Sequence, residues 1–129
     1  MLKPENRLTK VRDFNFVIKH GKWVASDLLS IKWLKLAEIP QLFPKKEDPS
    51  KFEKQLRLAI VVGLKVSKRA VVRNRLKRQM REVVRLLVKD NKMKNGYYLM
   101  FVAKPALVGV DYEIVERETV NLLKRIHLV

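Results

Sequence analysis

Two runs of this chain leave little choice about its interior. RLAIVVGL, residues 57–64, is an almost unbroken apolar series with the β-branched Ile60, Val61 and Val62 at its centre, and YYLMFVAK, residues 97–104, is a second apolar run. Segments that short and that apolar read as strands covered on both faces. The first reads as a central strand; Pro105 ends the second. Between them, residues 69–89 carry apolar side chains at helical spacing, and KNG at 94–96 reads as a turn. Any fold for this chain has to bury both runs and seat that helix beside them. With 129 residues, 47% of them apolar, one domain with a modest core is expected and wholesale disorder is not.

The remaining segments fill in around that interior. Residues 1–9 are a polar arm. In KVRDFNFVIKHG, Val11, Phe14 and Val17 or Ile18 recur at helical spacing, Gly21 is a stop, and Phe16 lies off the stripe. In LLSIKWLKL, residues 28–36, Leu29, Ile31 and Trp33 alternate with Ser30 and Lys32, which predicts a strand with one wet face. Trp23 and Trp33 are expected to pack in the core. Pro40, Pro44 and Pro49 then break the pattern, and residues 38–56 read as a long inserted loop. Asp111 is placed to cap a last helix, whose stripe is Val115, Thr119, Leu122 and Ile126. Glu113, Glu116 and Glu118 sit in its first turns, where the helix dipole favours them. The order is α-β-β-α-β-α. The expected class is α+β, a two-layer sandwich with helices on a central sheet of at least three strands, all in one domain spanning 1–129.

Charge narrows the partner. Lys plus Arg number 29 against 13 Asp plus Glu, a net charge of +16 and a pI near 10.4. Such a balance points to a polyanion: nucleic acid, and less readily an anionic membrane surface. There is no cysteine, and the two histidines, His20 and His127, lie far apart. That excludes disulfides and thiolate metal sites and leaves a zinc site without ligands. MLKPENRLTKVRDF is too polar for a signal peptide, and no apolar run approaches the roughly 18 residues that span a bilayer. The expectation is a soluble, cytoplasmic protein with no membrane partner.

The positive charge gathers on the middle helix. Residues 65–89 hold ten basic side chains and one acid, Glu82. With Leu76 at the centre of a helical wheel, Met80, Val83 and Leu87 fall within about 40° of it, at about 100° per residue. Asn74, Lys77, Arg78, Arg81 and Arg85 fall on the flank and far side. A solvated helix face normally mixes signs in i,i+4 pairs, and this one does not. Arginine suits a phosphate contact surface, because its planar fork donates two hydrogen bonds to one phosphate. Asn74, between two arginines, could add a base-edge or 2′-hydroxyl contact.

Here a resemblance enters. AVVRNRLKRQMREVVR resembles the RNR signature of the protein subunit of bacterial ribonuclease P, through Ala70, Val71, Arg73, Asn74, Arg75, Lys77, Arg78, Arg81, Glu82 and Arg85. NRLTKVRDFNFVIKHG is similar to the start of that family, through Asn6, Arg7, Leu8, Lys10, Phe14, Val17 and Gly21. YYLMFVAKPA is similar to its strand before the last helix. The matches run in order along nearly the whole chain. One departure stands out: where the family commonly has a glycine two residues before the signature's alanine, this chain has Lys68.

The resemblance implies the fold and the work. The fold would include a left-handed β-α-β crossover, against the general rule. The chain would be a non-catalytic cofactor of a ribonucleoprotein that removes the 5′ leader from precursor tRNA. The RNA subunit would carry the active site and the Mg²⁺ ions, with none bound tightly by the protein, and one protein would serve each RNA. Arg69, Arg73, Asn74, Arg75, Lys77, Arg78 and Arg81 would contact the RNA. A cleft between the first helix and the sheet would hold the leader, with Phe14, Phe16, Ile18 and Lys32 as its candidate residues. Ile18 stands where the family often has an aromatic, which removes a stacking face. His20, beside Gly21, matches a common family residue, as a helix-end or phosphate contact. No serine–histidine or paired-carboxylate arrangement suggests catalysis by the chain itself. The alternative is a ribosomal or other structural RNA-binding protein, which would share the charge, the size and the layout.

Overall fold

The computed structural model describes residues 2–39 and 55–129. In chain order it has α1 (Val11–His20), β1 (Lys22–Ala25), β2 (Leu29–Lys35), β3 (Leu56–Val61), α2 (Ala70–Lys89), β4 (Tyr97–Ala103) and α3 (Tyr112–Arg125). The strands form one four-stranded sheet in the order β1-β2-β4-β3. β1, β2 and β4 pair antiparallel, while β3 and β4 are parallel neighbours joined through α2, giving the expected β-α-β unit. Most of the expected inserted loop, residues 40–54, lies outside the described residues.

Register divides the side chains between two faces. Leu29, Ile31 and Trp33 of β2 stand opposite Ala103, Phe101 and Leu99 of β4, which stand beside Ile60 and Leu58 of β3. α2 and α3 close over this face. Leu76, Met80, Val83, Val84 and Leu87 come from α2, and Val115, Leu122 and Leu123 from α3. The α2 core face is the predicted one, widened by Val84. Leu99 and Phe101 are fully buried, worth about 1.5–3 kcal/mol each in apolar area removed from water. The stripe of α3 is also as expected, except that Ile126 lies just beyond the helix. Thr119 is satisfied in the core because its Oγ1 donates to the Val115 carbonyl at 2.7 Å. Asp111 occupies the N-cap position, but its side chain makes no capping hydrogen bond.

Four expectations need correction. β3 is not central: it lies at the end of the sheet, beyond β4. Its free edge is covered by the N-terminal arm, where Leu8 N–H donates to the Leu58 carbonyl at 2.9 Å and Asn6 Nδ2 to the Leu56 carbonyl at 2.8 Å. The arm supplies the missing neighbour, so the run is as apolar as an interior strand. β1 had no signal: only four residues long, it is exposed except at half-buried Val24. It is formed by a hairpin in which Ser26 N–H donates to the Leu29 carbonyl and Ser26 Oγ accepts from Leu28 N–H. Trp23 on β1 is 56% exposed, not in the core, whereas Trp33 packs at 6.2 Å from the Tyr97 ring.

The fourth correction concerns α1. It lies on the opposite face of the sheet and buries Val17, with Phe14 and Phe16 half-buried, against Leu34, Tyr98 and Leu8. The apolar stripe Val11–Phe14–Ile18 is real, but it is rotated to the side of the contact: Val11 is 74% exposed and Ile18 56%. Gly21 stops the helix, as expected, though by close approach and not by a left-handed turn. Its φ is −72°, and a Cβ there would collide with the Val17 carbonyl.

Candidate nucleic-acid interface

The outer side of α2 is the most one-sidedly charged surface described. Asn74, Arg75 and Arg78 are exposed, and Lys77 and Arg81 are half-buried. Asn74, Arg78, Arg81 and Arg85 follow one another at i, i+4, i+7 and i+11, opposite Leu76 on the wheel. Arg85 is the member already occupied. Its Nε and Nη2 donate to both oxygens of Glu82, at 2.9 and 2.6 Å. That fork holds the Glu82 carboxyl below its usual pKa and raises that of Arg85.

Arg73 is split between roles. It is half-buried, and its Nη1 donates to the Ser67 carbonyl at 3.0 Å. It therefore ties the helix back to the turn that precedes it. Ser67 Oγ also accepts from Arg69 N–H at 3.2 Å, and Val66 N–H donates to the Gly63 carbonyl. These bonds close the strand-to-helix turn without a glycine at position 68. Lys68 takes no positive φ, so the side chain there adds charge without backbone strain. Arg69 is exposed at the N-cap, beside the first turn of α2.

A second surface opens on the other face of the sheet. Register places Trp23, Lys32, Met100 and Ala59 in one row across all four strands. Lys32 Nζ donates to the Ile18 carbonyl, which fixes this row on the α1 side. The row spans three strand spacings, about 14 Å. The Val11–Phe14–Ile18 stripe runs beside it for about 10 Å, at 1.5 Å per residue. The result is a trough: an apolar helix stripe for a wall, and Ala59, Met100 and Lys32 for a floor. Val61 and Val102, half-buried, form the next row of the floor. At the β3 end, Phe14 and Ala59 share a hollow of about 320 Å³ with Arg7 and Arg81. Arg81 reaches that hollow from α2, so the charged helix and the trough meet at the sheet edge.

Of the residues expected to line a leader cleft, Phe14, Ile18 and Lys32 come together here. Phe16 does not join them. It projects about 160° around the helix from Phe14, at about 100° per residue, and lies 5.8 Å from the Arg12 guanidinium. His20 is exposed in the last turn of α1. Trp23 and Met100 were missed as trough residues. The signal for Trp23 lay in its pairing with Lys32, which needs the hairpin register. Among the described residues no three His, Cys, Asp or Glu side chains cluster to hold a metal ion, and no helix is long and apolar enough to cross a membrane.

A compact α+β fold that carries an arginine-rich helix face beside an open, cation-rimmed trough defines a small RNA-binding protein. Comparison with known proteins identifies which kind. The family model described as Ribonuclease P matches residues 2–127. The chain is 34% identical over 130 residues to the ribonuclease P protein component of Cyanothece sp., covering 100% of this chain and 98% of the relative. To that of Clostridioides difficile it is 36% identical over 118 residues, covering 92% and 89%. Among solved structures, the RNase P protein from Thermotoga maritima matches with a TM-score of 0.67 at 27% identity, over 92% of this chain and 96% of that one. The Staphylococcus aureus RNase P protein shares the fold with a TM-score of 0.71 at 21% identity, over 95% and 96%. The chain belongs to the ribonuclease P protein family, and it is the protein subunit of that endoribonuclease, acting in tRNA processing with a ribonuclease P RNA.

Proposed function

We propose that this subunit uses its two surfaces for two parts of one ribonucleoprotein task. The outer face of α2 docks on the ribonuclease P RNA through Arg75, Arg78 and their neighbours. The trough beside α1 holds the unpaired 5′ leader of precursor tRNA. The observation that carries this reading is the separation of the surfaces: they lie on opposite sides of the sheet and meet at the Phe14–Arg81 hollow. One protein can then touch catalytic RNA and substrate at once.

The physics of the assembly supports the division. Two large polyanions repel each other, and a cation of charge +16 set between them lowers that repulsion. Arginine forks on α2 replace condensed counterions along the RNA backbone, which makes binding steeply salt-dependent. The trough offers an apolar wall with one aromatic, Phe14, and a floor of Ala59, Met100 and Lys32 to bases that are not already stacked. In this reading Mg²⁺ is held by the RNA, the chain supplies binding and not bond-breaking groups, and one copy serves each RNA. The work is done in the bacterial cytoplasm.

The test is cleavage of precursor tRNA at low Mg²⁺ by a bacterial ribonuclease P RNA, with and without the protein and beside a protein-alone control. Cleavage at the mature 5′ end is expected only when RNA and protein are both present. Cleavage by the protein alone, or no stimulation despite tight RNA binding, overturns the reading.

A further inference from the structure

We propose that Trp23 is a base-stacking site for the precursor's leader, at the β1 end of the trough. The inference rests on the reading that the trough holds the leader, and it extends that binding site to an edge strand that the resemblance does not assign. Trp23 is 56% exposed on a four-residue edge strand. An indole presents more apolar surface than almost any other side chain, and leaving it in water forfeits that burial. The core is not short of room for aromatics: Phe101 and Tyr98 are fully buried two strands away. Trp23 is outside because register puts it there, opposite Lys32 on the α1 face.

Its surroundings are those of a nucleotide site. Lys32 Nζ lies 5.1 Å from the Trp23 ring centroid and donates to the Ile18 carbonyl, so Ile18, Lys32 and Trp23 form one continuous patch. Lys22 is the next residue on the strand, and its Nζ lies 5.4 Å from the Trp33 ring on the other face. Ile18 occupies the wall where a second aromatic would provide a stacking face. Trp23 restores a π surface across the floor from it, about 14 Å from Ala59 at the far end. A strand of nucleotides spaced about 3.4 Å apart when stacked would pass from Phe14 to Trp23 with a few bases between. The occupant is single-stranded RNA because its bases are free to stack, whereas those of a folded RNA are already paired and stacked. Lys32 beside the ring meets the backbone phosphate of the stacked nucleotide.

The experiment uses the reconstituted holoenzyme and compares binding of leader-bearing precursor with leaderless tRNA. Trp23→Ala is expected to weaken precursor binding about tenfold, the scale of one lost base–aromatic stack, and to leave leaderless tRNA unchanged. Trp23→Phe, which keeps a π face, is expected to recover most of the loss. In a Trp33→Phe background, Trp23 is the sole tryptophan, and a single-stranded leader oligonucleotide is expected to quench its fluorescence. Precursor binding by Trp23→Ala that stays within twofold of wild type overturns the proposal while the trough reading stands. An equal loss for both RNAs overturns it too, assigning the indole to RNA-subunit contact or to folding. A wild-type holoenzyme that does not distinguish the two RNAs defeats the trough reading and this proposal together.

Discussion

The two faces of the sheet are built from the same strands and end up with opposite properties. On one, α2 and α3 bury a continuous apolar layer, and Leu99, Phe101, Val84 and Val115 have no exposed surface left. On the other, the ten-residue α1 covers one band of the sheet and leaves Met100, Val102, Ala59 and Val61 half-buried. Adjacent residues on β4 therefore live in different environments. Function in so small a protein sits where the sheet is left open and where the closed layer turns outward. The closed face provides the stability, and its outermost layer, the arginine side of α2, is free to carry charge. The open face is affordable because the closed one is complete.

Truncating one residue on each face should give the largest effect. Phe101→Ala should cost about 3–5 kcal/mol in urea unfolding, through lost burial and a cavity. Met100→Ala, its neighbour on the open face, should cost about half that or less, since it starts half-solvated. Equal losses would mean that the trough is closed in solution.

The next effect separates the surfaces by ligand. Arg75→Ala and Arg78→Ala should each weaken binding to the ribonuclease P RNA, and each should lower the slope of log affinity against log salt by about 1. Both should act equally on holoenzyme bound to leader-bearing and leaderless tRNA. A loss confined to leader-bearing substrate would merge the two surfaces into one.

The smallest effect concerns Glu82, the only acid between residues 65 and 89. Arg85 holds its carboxyl below the usual pKa, so the pair's contribution is present above the ordinary carboxylate range and lost as pH falls through the lowered value. At neutral pH, Glu82→Gln should scarcely move the melting temperature, because both groups face water. It should strengthen RNA binding about two- to threefold by freeing the Arg85 fork for phosphate. Unchanged or weaker RNA binding by this variant would place Arg85 outside the docking face.

Part of this could be read from the chain alone, and the reasons are local. The charged face of α2 was legible because helix periodicity ties position to face: once Leu76, Met80, Val83 and Leu87 point inward, Asn74, Arg78, Arg81 and Arg85 must point out. The strands were legible because runs such as RLAIVVGL are short and apolar, but their cover on both faces was not: Ala59 and Val61 of β3 lie half-buried on the open face. The trough was only half legible. The Val11–Phe14–Ile18 stripe was visible, but an apolar stripe looks the same whether it enters a core or walls a cleft. Phe16 sat off it in sequence and proved to lie on the far side in space.

Pattern within the chain was enough for every element but β1, for the segregation of charge on α2, and for the family, because each depends on spacing within one segment or on residues in a fixed order. Tertiary structure alone decided that β3 takes its second neighbour from the N-terminal arm. It also decided that Trp23 faces water beside Lys32, and that α1 turns its stripe aside to leave the trough. Those outcomes depend on register between strands distant in sequence and on the angle at which a short helix meets a sheet. Neither is encoded by the period of any single segment.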